Sequence, residues 1–115
     1  MIEKTALDYL SEHMAEPCSA EIPETRPESF VVVDKTNGSL TEHLGETSLA
    51  IQSYAPSKYA AAQLNERVIA IMLGITELSD VSRCELNSDY PFPELSGKSY
   101  RYQAVFDLTH YDVPN

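Results

Sequence analysis

The sequence contains few of the residues that build the most recognisable functional sites. Only four of its 115 residues are glycine, and none belongs to a glycine-rich loop of the kind that cradles phosphates. No uninterrupted apolar run approaches the roughly 18 residues that mark a membrane-spanning helix, so no spanning helix is predicted. Residues 1–4 lack a basic start followed by an apolar core, and we therefore expect no signal peptide.

Basic residues are also scarce. The chain has 8 lysines and arginines against 18 aspartates and glutamates, which gives a formal net charge of −10. Such a surface repels nucleic-acid phosphates and anionic lipids. A free-standing nucleic-acid-binding role and attachment to a membrane are therefore both disfavoured.

Cysteine is limited to Cys18 and Cys84. A single bridge between them is arithmetically possible, but without an export signal reduced thiols are favoured. Cys84 is centred in a predicted strand, where a small core side chain is the simplest interpretation.

The clearest structural pattern that is present is the alternation in residues 100–111. One face would carry Tyr100, Tyr102, Ala104, Phe106 and Leu108, and the other Arg101, Gln103, Asp107 and Thr109, with Val105 as the exception. Period-2 alternation rich in aromatic and β-branched residues predicts a strand with one face on a core. This segment exceeds the usual strand length of roughly 3–10 residues, so we expect it to be central in a sheet.

Spacing and turn residues predict the remaining elements. Amphipathic helices are expected at residues 2–14 and 58–74, the second with Ser57 as its N-cap and Gly74 as its C-cap. Further strands are predicted at residues 18–22, 30–36, 47–54 and 81–87, with loops at 23–28 and 88–97. The order is then α-β-β-β-α-β-β.

This order predicts a single α+β domain over residues 1–115. Short connections favour a mainly antiparallel sheet, and the two amphipathic helices would cover one of its faces in a two-layer arrangement. The shared core is expected to contain Leu64, Val68, Ile71, Phe106 and Leu108.

Residues 36–46 stand out because they join two predicted strands with more chain than a turn needs. Asn37-Gly38 favours a tight hairpin turn, and of the residues that follow only Leu40 and Leu44 are apolar. They could extend the hairpin as an arm or form a mobile loop. Long connections in compact domains are usually functional or mobile, so we predict that this arm is poorly ordered in the monomer and becomes ordered against a neighbouring subunit or tail partner.

The predicted loop at residues 88–97 is the second candidate contact region. Tyr90 and Phe92 are placed there by flanking prolines, and exposed aromatic side chains suit a partner surface. The predicted interface residues are Asn37, Leu40, His43, Leu44, Tyr90 and Phe92.

Histidines provide the candidates for catalysis. A catalytic interpretation would choose His43 and His110, with partners drawn from Asp34, Glu85 and Asp107. A partly buried histidine near a strand end and a solvated loop histidine are the simpler interpretations, and His13 lies among acids on a helix surface rather than in a metal-ligand pair. We predict no catalytic, cofactor-binding or metal site and no enzyme activity, with a hydrolase using His110 as the minor alternative.

Four segments in combination resemble a known protein family. They are Ala-Ile-Gln-Ser-Tyr-Ala at 50–55, Tyr-Ala-Ala-Ala-Gln-Leu-Asn-Glu at 59–66, Glu-Leu-Asn-Ser-Asp-Tyr at 85–90 and Tyr-Arg-Tyr-Gln-Ala-Val-Phe-Asp at 100–107. Together with the element order, they resemble the small tail-terminator or tail-completion proteins of long-tailed bacteriophages and prophages. The shared motifs are structural rather than catalytic.

The resemblance implies a virion structural protein that forms a homo-oligomeric ring, commonly a hexamer. Such a ring caps the tail tube, stops its growth and joins tail to head, so the implied partners are other copies, the tail tube protein and the head connector protein. Packaged DNA would pass through an acidic ring without specific binding. The implied location is the virion tail, after assembly in the host bacterial cytoplasm.

Other functions stay open at this point. A head-side connector or minor capsid protein is the alternative within the same class. A small cytoplasmic α+β binding module is the alternative from another class, and the size of the oligomer would distinguish it from a ring protein.

Overall fold

The computed structural model describes residues 1–41 and 44–111, with the backbone alone at 37, 40 and 41. Its elements are α1 (Ile2–His13), β1 (Cys18–Ser19), β2 (Phe30–Thr41), β3 (Leu44–Ala55), α2 (Lys58–Leu73), a short 3₁₀ helix (Ile75–Glu77), β4 (Val81–Pro91) and β5 (Tyr100–Tyr111). The predicted order and the predicted α+β class are confirmed.

The five strands form one sheet in the order β1-β2-β3-β5-β4. All neighbouring pairs are antiparallel except the short β1, which runs parallel to β2 at Cys18↔Val31. β5 lies between β3 and β4, and its register with β3 is unbroken from Leu44↔Tyr111 to Ala55↔Tyr100. The prediction that the last strand is central is therefore confirmed.

Both helices cover the same face of this sheet. The core between the layers contains Ile2, Ala6, Tyr9, Leu10, Leu64, Val68 and Met72 from the helices and Val31, Val33, Leu49, Ile51, Ala104, Phe106 and Leu108 from the strands. Of the predicted core residues, four are buried in this cluster and Ile71 packs against it as a partly buried side chain.

Side-chain hydrogen bonds fix the helix ends. The Ser57 hydroxyl accepts a hydrogen bond from the Ala60 amide at 3.1 Å, which confirms it as the N-cap of α2. The Tyr9 hydroxyl donates to the carbonyl of Gly74 at 3.0 Å and holds α1 against the C-terminal end of α2.

The predicted turn at Asn37-Gly38 is wrong. Both residues lie inside β2, opposite Ser48 and Thr47, and a β-bulge at Thr36 adjusts the register. The pairing continues to Thr41↔Leu44, while β5 supports the other side of β3 as far as Leu44. Because this third strand extends the ladder, residues 36–41 and 44–46 of the predicted arm are strand rather than a mobile loop.

The predicted loop at residues 88–97 begins too early. β4 continues to Pro91, with Tyr90 opposite Gln103 and Pro91 opposite Tyr102. A register shift between Leu86 and Ser88 interrupts the alternation, which hid this part of the strand from the sequence pattern. Pro91 is tolerated because β4 is an edge strand.

Candidate interaction surface

No helix in the described ranges covers the face of the sheet opposite α1 and α2, which we call the open face. Residues that pair across antiparallel strands point to the same side, so the register places alternate residues of β2, β3, β5 and β4 on it. β3 contributes Glu46, Ser48, Ala50, Gln52 and Tyr54, and β5 contributes Arg101, Gln103, Val105, Asp107 and Thr109. At one end of this face Phe30, Val32 and Tyr54 form a small buried cluster, and the rest of the open face is mostly polar.

A continuous chain of hydrogen bonds, the polar ladder, crosses three strands of the open face. Arg101 donates to the Tyr54 hydroxyl at 3.2 Å, and that hydroxyl donates to Gln52 Oε1 at 3.1 Å. Gln52 Nε2 donates to Gln103 Oε1 at 2.9 Å, and Gln103 Nε2 donates to the Tyr90 hydroxyl at 2.6 Å. Each amide uses both its oxygen and its nitrogen, so the ladder fixes the side-chain positions across β3, β5 and β4.

Asp107 is the centre of a second hydrogen-bonded group on the open face. Its carboxylate accepts from the Ser48 hydroxyl at 2.7 Å and from Asn87 Nδ2 at 2.9 Å. The Asn87 bond and then the Ser48 bond hold the pKa of Asp107 below its usual value. The carboxylate therefore keeps its negative charge on this part of the sheet.

Three further acidic side chains share the open face with Asp107. We call the set Asp34, Glu46, Glu85 and Asp107 the acidic patch, because the register places all four on the open face. Arg83 is their nearby base, and it pairs with Glu85 at 2.5 Å. Negative charge thus predominates on this half of the open face.

Arg101 fastens the aromatic segment that follows β4. Its guanidinium lies 4.1 Å from the centre of the Phe92 ring, and it donates to the carbonyls of Phe92 at 2.7 Å and Pro93 at 3.2 Å. Tyr90 meets Phe92 edge to face at 6.2 Å. Both predicted aromatic side chains are thus held in place while 38% of Tyr90 and 36% of Phe92 remain exposed.

A small second core supports this end of the sheet. The rings of Phe30 and Tyr54 stack at 4.4 Å, and the Arg26 guanidinium lies 5.9 Å from each ring centre. Arg26 also forms a two-bond ion pair with Glu94. The pairing lowers the pKa of the Glu94 carboxyl. Sequence patterns gave no sign of this contact, because both charged residues lie in segments without periodicity.

A groove of about 390 Å³ lies beside the aromatic segment, and we call it the aromatic groove. Its lining residues are Lys58, Pro91, Pro93, Glu94, Gly97, Ser99, Tyr100, Arg101 and Tyr102. The N-terminus of α2, the end of β4 and the start of β5 thus meet there. Aromatic rings, prolines and basic side chains give this groove the character of a protein-binding surface.

The predicted interface residues do not come together. Tyr90 pairs with Gln103, whereas Leu44 pairs with Tyr111. These partners are eight residues apart along β5, which is about 26 Å at roughly 3.3 Å per residue.

Of the remaining predicted interface residues, those that the structure describes belong to the Leu44 end of the hairpin. Leu44 is 41% exposed. Asn37 and Leu40 lie in the same half of the hairpin, although their side chains are not described, and His43 lies outside the described residues.

His110 occupies the helix-covered face of the sheet. It is 3% exposed, and its Nε2 lies 2.7 Å from the Thr47 hydroxyl. Its ring packs so closely on Gly45 that a Cβ there would lie 2.4 Å from the ring. The acids considered as its partners lie on the opposite face, so the structure does not assemble the catalytic combination considered from sequence.

The two thiols are free, as predicted, and lie in β1 and β4 at opposite edges of the sheet. Burial raises the pKa of both thiols, that of Cys84 to about 11. In residues 1–41 and 44–111, no three or more His, Cys, Asp or Glu side chains are placed to hold a metal ion. No helix in the same ranges is long and apolar enough to cross a membrane.

Comparison with known proteins gives no assignment for this surface. No protein-family model matches the chain, and a search of curated proteins finds no match. The functional interpretation therefore depends on the geometry above.

Proposed function

We propose that this chain is a tail-terminator or tail-completion protein of a long-tailed bacteriophage or prophage. In this role it forms a homo-oligomeric ring, a hexamer in the common case, at the head-proximal end of the tail tube and joins tail to head. Its partners are other copies of itself, the tail tube protein and the head connector protein, and it acts without catalysis.

The open face of the sheet is the observation that carries this proposal. Four strands present it, and no helix of the described chain covers it. Its polar side chains bond to one another through the polar ladder instead of converging on one point. A surface already fixed in this way loses little side-chain freedom when it meets another protein, which suits a permanent assembly contact better than turnover of a small molecule.

Charge supports the same role. The chain carries a net charge of −10, so acidic side chains outnumber basic ones over its surface as a whole. Protein–DNA affinity comes largely from neutralising phosphates with basic side chains. A ring of such subunits would let DNA pass through its opening without gripping it.

The first experiment measures oligomer size and shape. Light scattering during gel filtration gives the mass, and negative-stain electron microscopy shows the outline. We expect a closed ring. A protein that stays monomeric at every concentration tested would contradict the proposal and favour the small cytoplasmic binding module.

The second experiment tests the tail assignment. Tail tube protein from the same phage or prophage genome is allowed to polymerise with and without this protein. We expect tubes that are shorter and capped at one end by a ring. Rings that leave tube length unchanged and bind instead to DNA-filled heads would favour the head-side connector.

A further inference from the structure

We propose that the aromatic groove of one copy binds the acidic patch of the next copy in a head-to-tail contact. This inference rests on the proposed function, because it names the contact that would close the ring. The groove and the patch are different surfaces of one chain, so the contact is heterologous. Contacts of this type generate closed rings or open filaments.

The distribution of basic side chains is the first observation. Four of the 8 bases pair with carboxylates: Lys4 with Asp8, Arg26 with Glu94, Arg67 with Glu16 and Arg83 with Glu85. In residues 1–41 and 44–111 the other four have no carboxylate at ion-pair distance, and they are Lys35, Lys58, Lys98 and Arg101. Two of these line the aromatic groove, and Lys98 lies between its lining residues Gly97 and Ser99. Uncompensated positive charge is thus concentrated at one place on an acidic protein.

The groove neutralises only part of this charge. Its one lining carboxylate, Glu94, is bonded to Arg26 and interacts with Arg101 only at longer range, and no lining carboxylate is left for Lys58. Lys58 is the first residue of α2, and the first turn of that helix has no acidic residue. The partial positive charge of a helix N-terminus repels a cation at that position. A carboxylate brought by a partner would relieve this repulsion.

The acidic patch is the complementary surface. It has four carboxylates and one nearby base, Arg83, which is taken up by Glu85. Complementary charges orient two surfaces and accelerate their association. The exposed aromatic side chains beside the groove, Phe92 and Tyr100, add apolar area that does not depend on salt.

Charge-reversed variants test the pairing. The groove variant is Lys58→Glu with Lys98→Glu, and the patch variant is Asp34→Lys with Glu46→Lys; all four side chains are exposed. Because each variant places like charges in the contact, each should need at least about tenfold more protein to assemble at physiological salt. Lys4→Glu, on the exposed surface of α1, is a single charge reversal outside the proposed contact and should assemble as the wild type does. Circular dichroism checks that every variant is folded.

A mixture of the two variants gives the decisive result. The groove of the first variant then carries acids and the patch of the second carries lysines, so both possible contacts between unlike subunits are complementary. We expect equal amounts to restore rings that contain both variants, as native mass spectrometry of the mixture would show. A groove-to-groove contact predicts instead that the patch variant, whose groove is unchanged, assembles by itself as the wild type does.

Each outcome distinguishes this inference from the proposed function. A monomeric wild type would overturn both. A wild-type ring together with a groove variant that assembles equally well would overturn the groove contact and leave the ring in place. Two assembly-deficient variants that fail to rescue each other would overturn the pairing of groove with patch.

Discussion

The two faces of β5 differ although their residues alternate along one strand. Ala104, Phe106 and Leu108 point under the helices and are buried in the core. Gln103 and Asp107 point to the open face and are engaged in hydrogen bonds there. One strand thus supplies both the stability of the domain and the chemistry of its open surface.

The energetic scales of the two faces are unequal. Burying a large apolar side chain stabilises a fold by about 1.5–3 kcal/mol. An intramolecular hydrogen bond contributes about 0.5–1.5 kcal/mol net, because water offers the same groups an alternative partner. The helix-covered face therefore dominates the free energy of unfolding, and the open face can change its chemistry with smaller losses.

The largest expected effect is on the covered face. Phe106→Ala removes a fully buried ring and should lower the free energy of unfolding by about 3–5 kcal/mol, because it leaves a cavity. Val105→Ala, next to it on the open face, is the control and should cost clearly less, since Val105 is only half-buried. Urea unfolding measures both, and equal losses would mean that the two faces do not differ as described.

A glycine change tests the packing around His110. Gly45→Ala would place a Cβ 2.4 Å from the imidazole ring and should destabilise the protein by about 1–3 kcal/mol through overpacking. At Gly38 the close neighbour of a new Cβ is the flexible end of Lys35 at 2.7 Å, so Gly38→Ala is the milder control. Combining Gly45→Ala with His110→Ala should recover part of the loss in thermal unfolding, and an additive result would contradict the contact.

The polar ladder is expected to contribute less. Gln103→Leu keeps the size of the side chain but removes its bonds to Gln52 and Tyr90. The free energy of unfolding should fall by about 1 kcal/mol, because the partners can turn to water. Tyr90→Phe removes one of the same bonds, so the double variant should be less destabilised than the sum of the two single changes. Strict additivity in urea unfolding would show that the ladder is not a connected unit.

The smallest effect concerns the charge of Asp107. Its pKa is lowered from 3.8 in the folded chain, so its ionised form stabilises the fold above that value. This contribution disappears as the pH falls through the lower folded pKa. Asp107→Asn should therefore be less stable than the wild type at neutral pH, and the difference should shrink below about pH 4. Chemical unfolding at several pH values measures the difference, and a gap that did not change with pH would contradict the role of the Ser48 and Asn87 bonds.

The covered face could be predicted from the sequence because its signal is local. The spacing of apolar residues predicts which side chains are buried. This holds for the alternation in residues 100–111 and for the helical stripe through Leu64 and Val68. The predicted core residues could be chosen from those two patterns without knowing which strands pair. Asn65, also buried on α2, did not follow, because a lone polar residue carries no such signal.

The open face could not be predicted in the same way because its contacts depend on register. The Gln52–Gln103–Tyr90 bonds exist only once β3, β5 and β4 are aligned, and the irregularity near Ser88 decides the side on which Tyr90 lies. Asn37-Gly38 is a turn signal that the extended three-strand ladder overrides. Both the side on which Tyr90 lies and the strand conformation of Asn37-Gly38 depend on pairing with distant strands, which no short stretch of sequence reveals.

Irregular strand pairing near the edges of the sheet limits the addition of further strands from other molecules. A long regular edge strand exposes unpaired backbone groups and invites further strands without limit. Beyond its two-residue pairing with β1, β2 forms one edge of the sheet and is bulged at Thr36, and the edge strand β4 shifts register at two places. The inner β3–β5 pair is regular throughout. The bulges distort the template that an incoming strand would copy. The bulges thus disfavour fibrous growth by strand addition at the sheet edges, so any assembly of copies would have to use other surfaces.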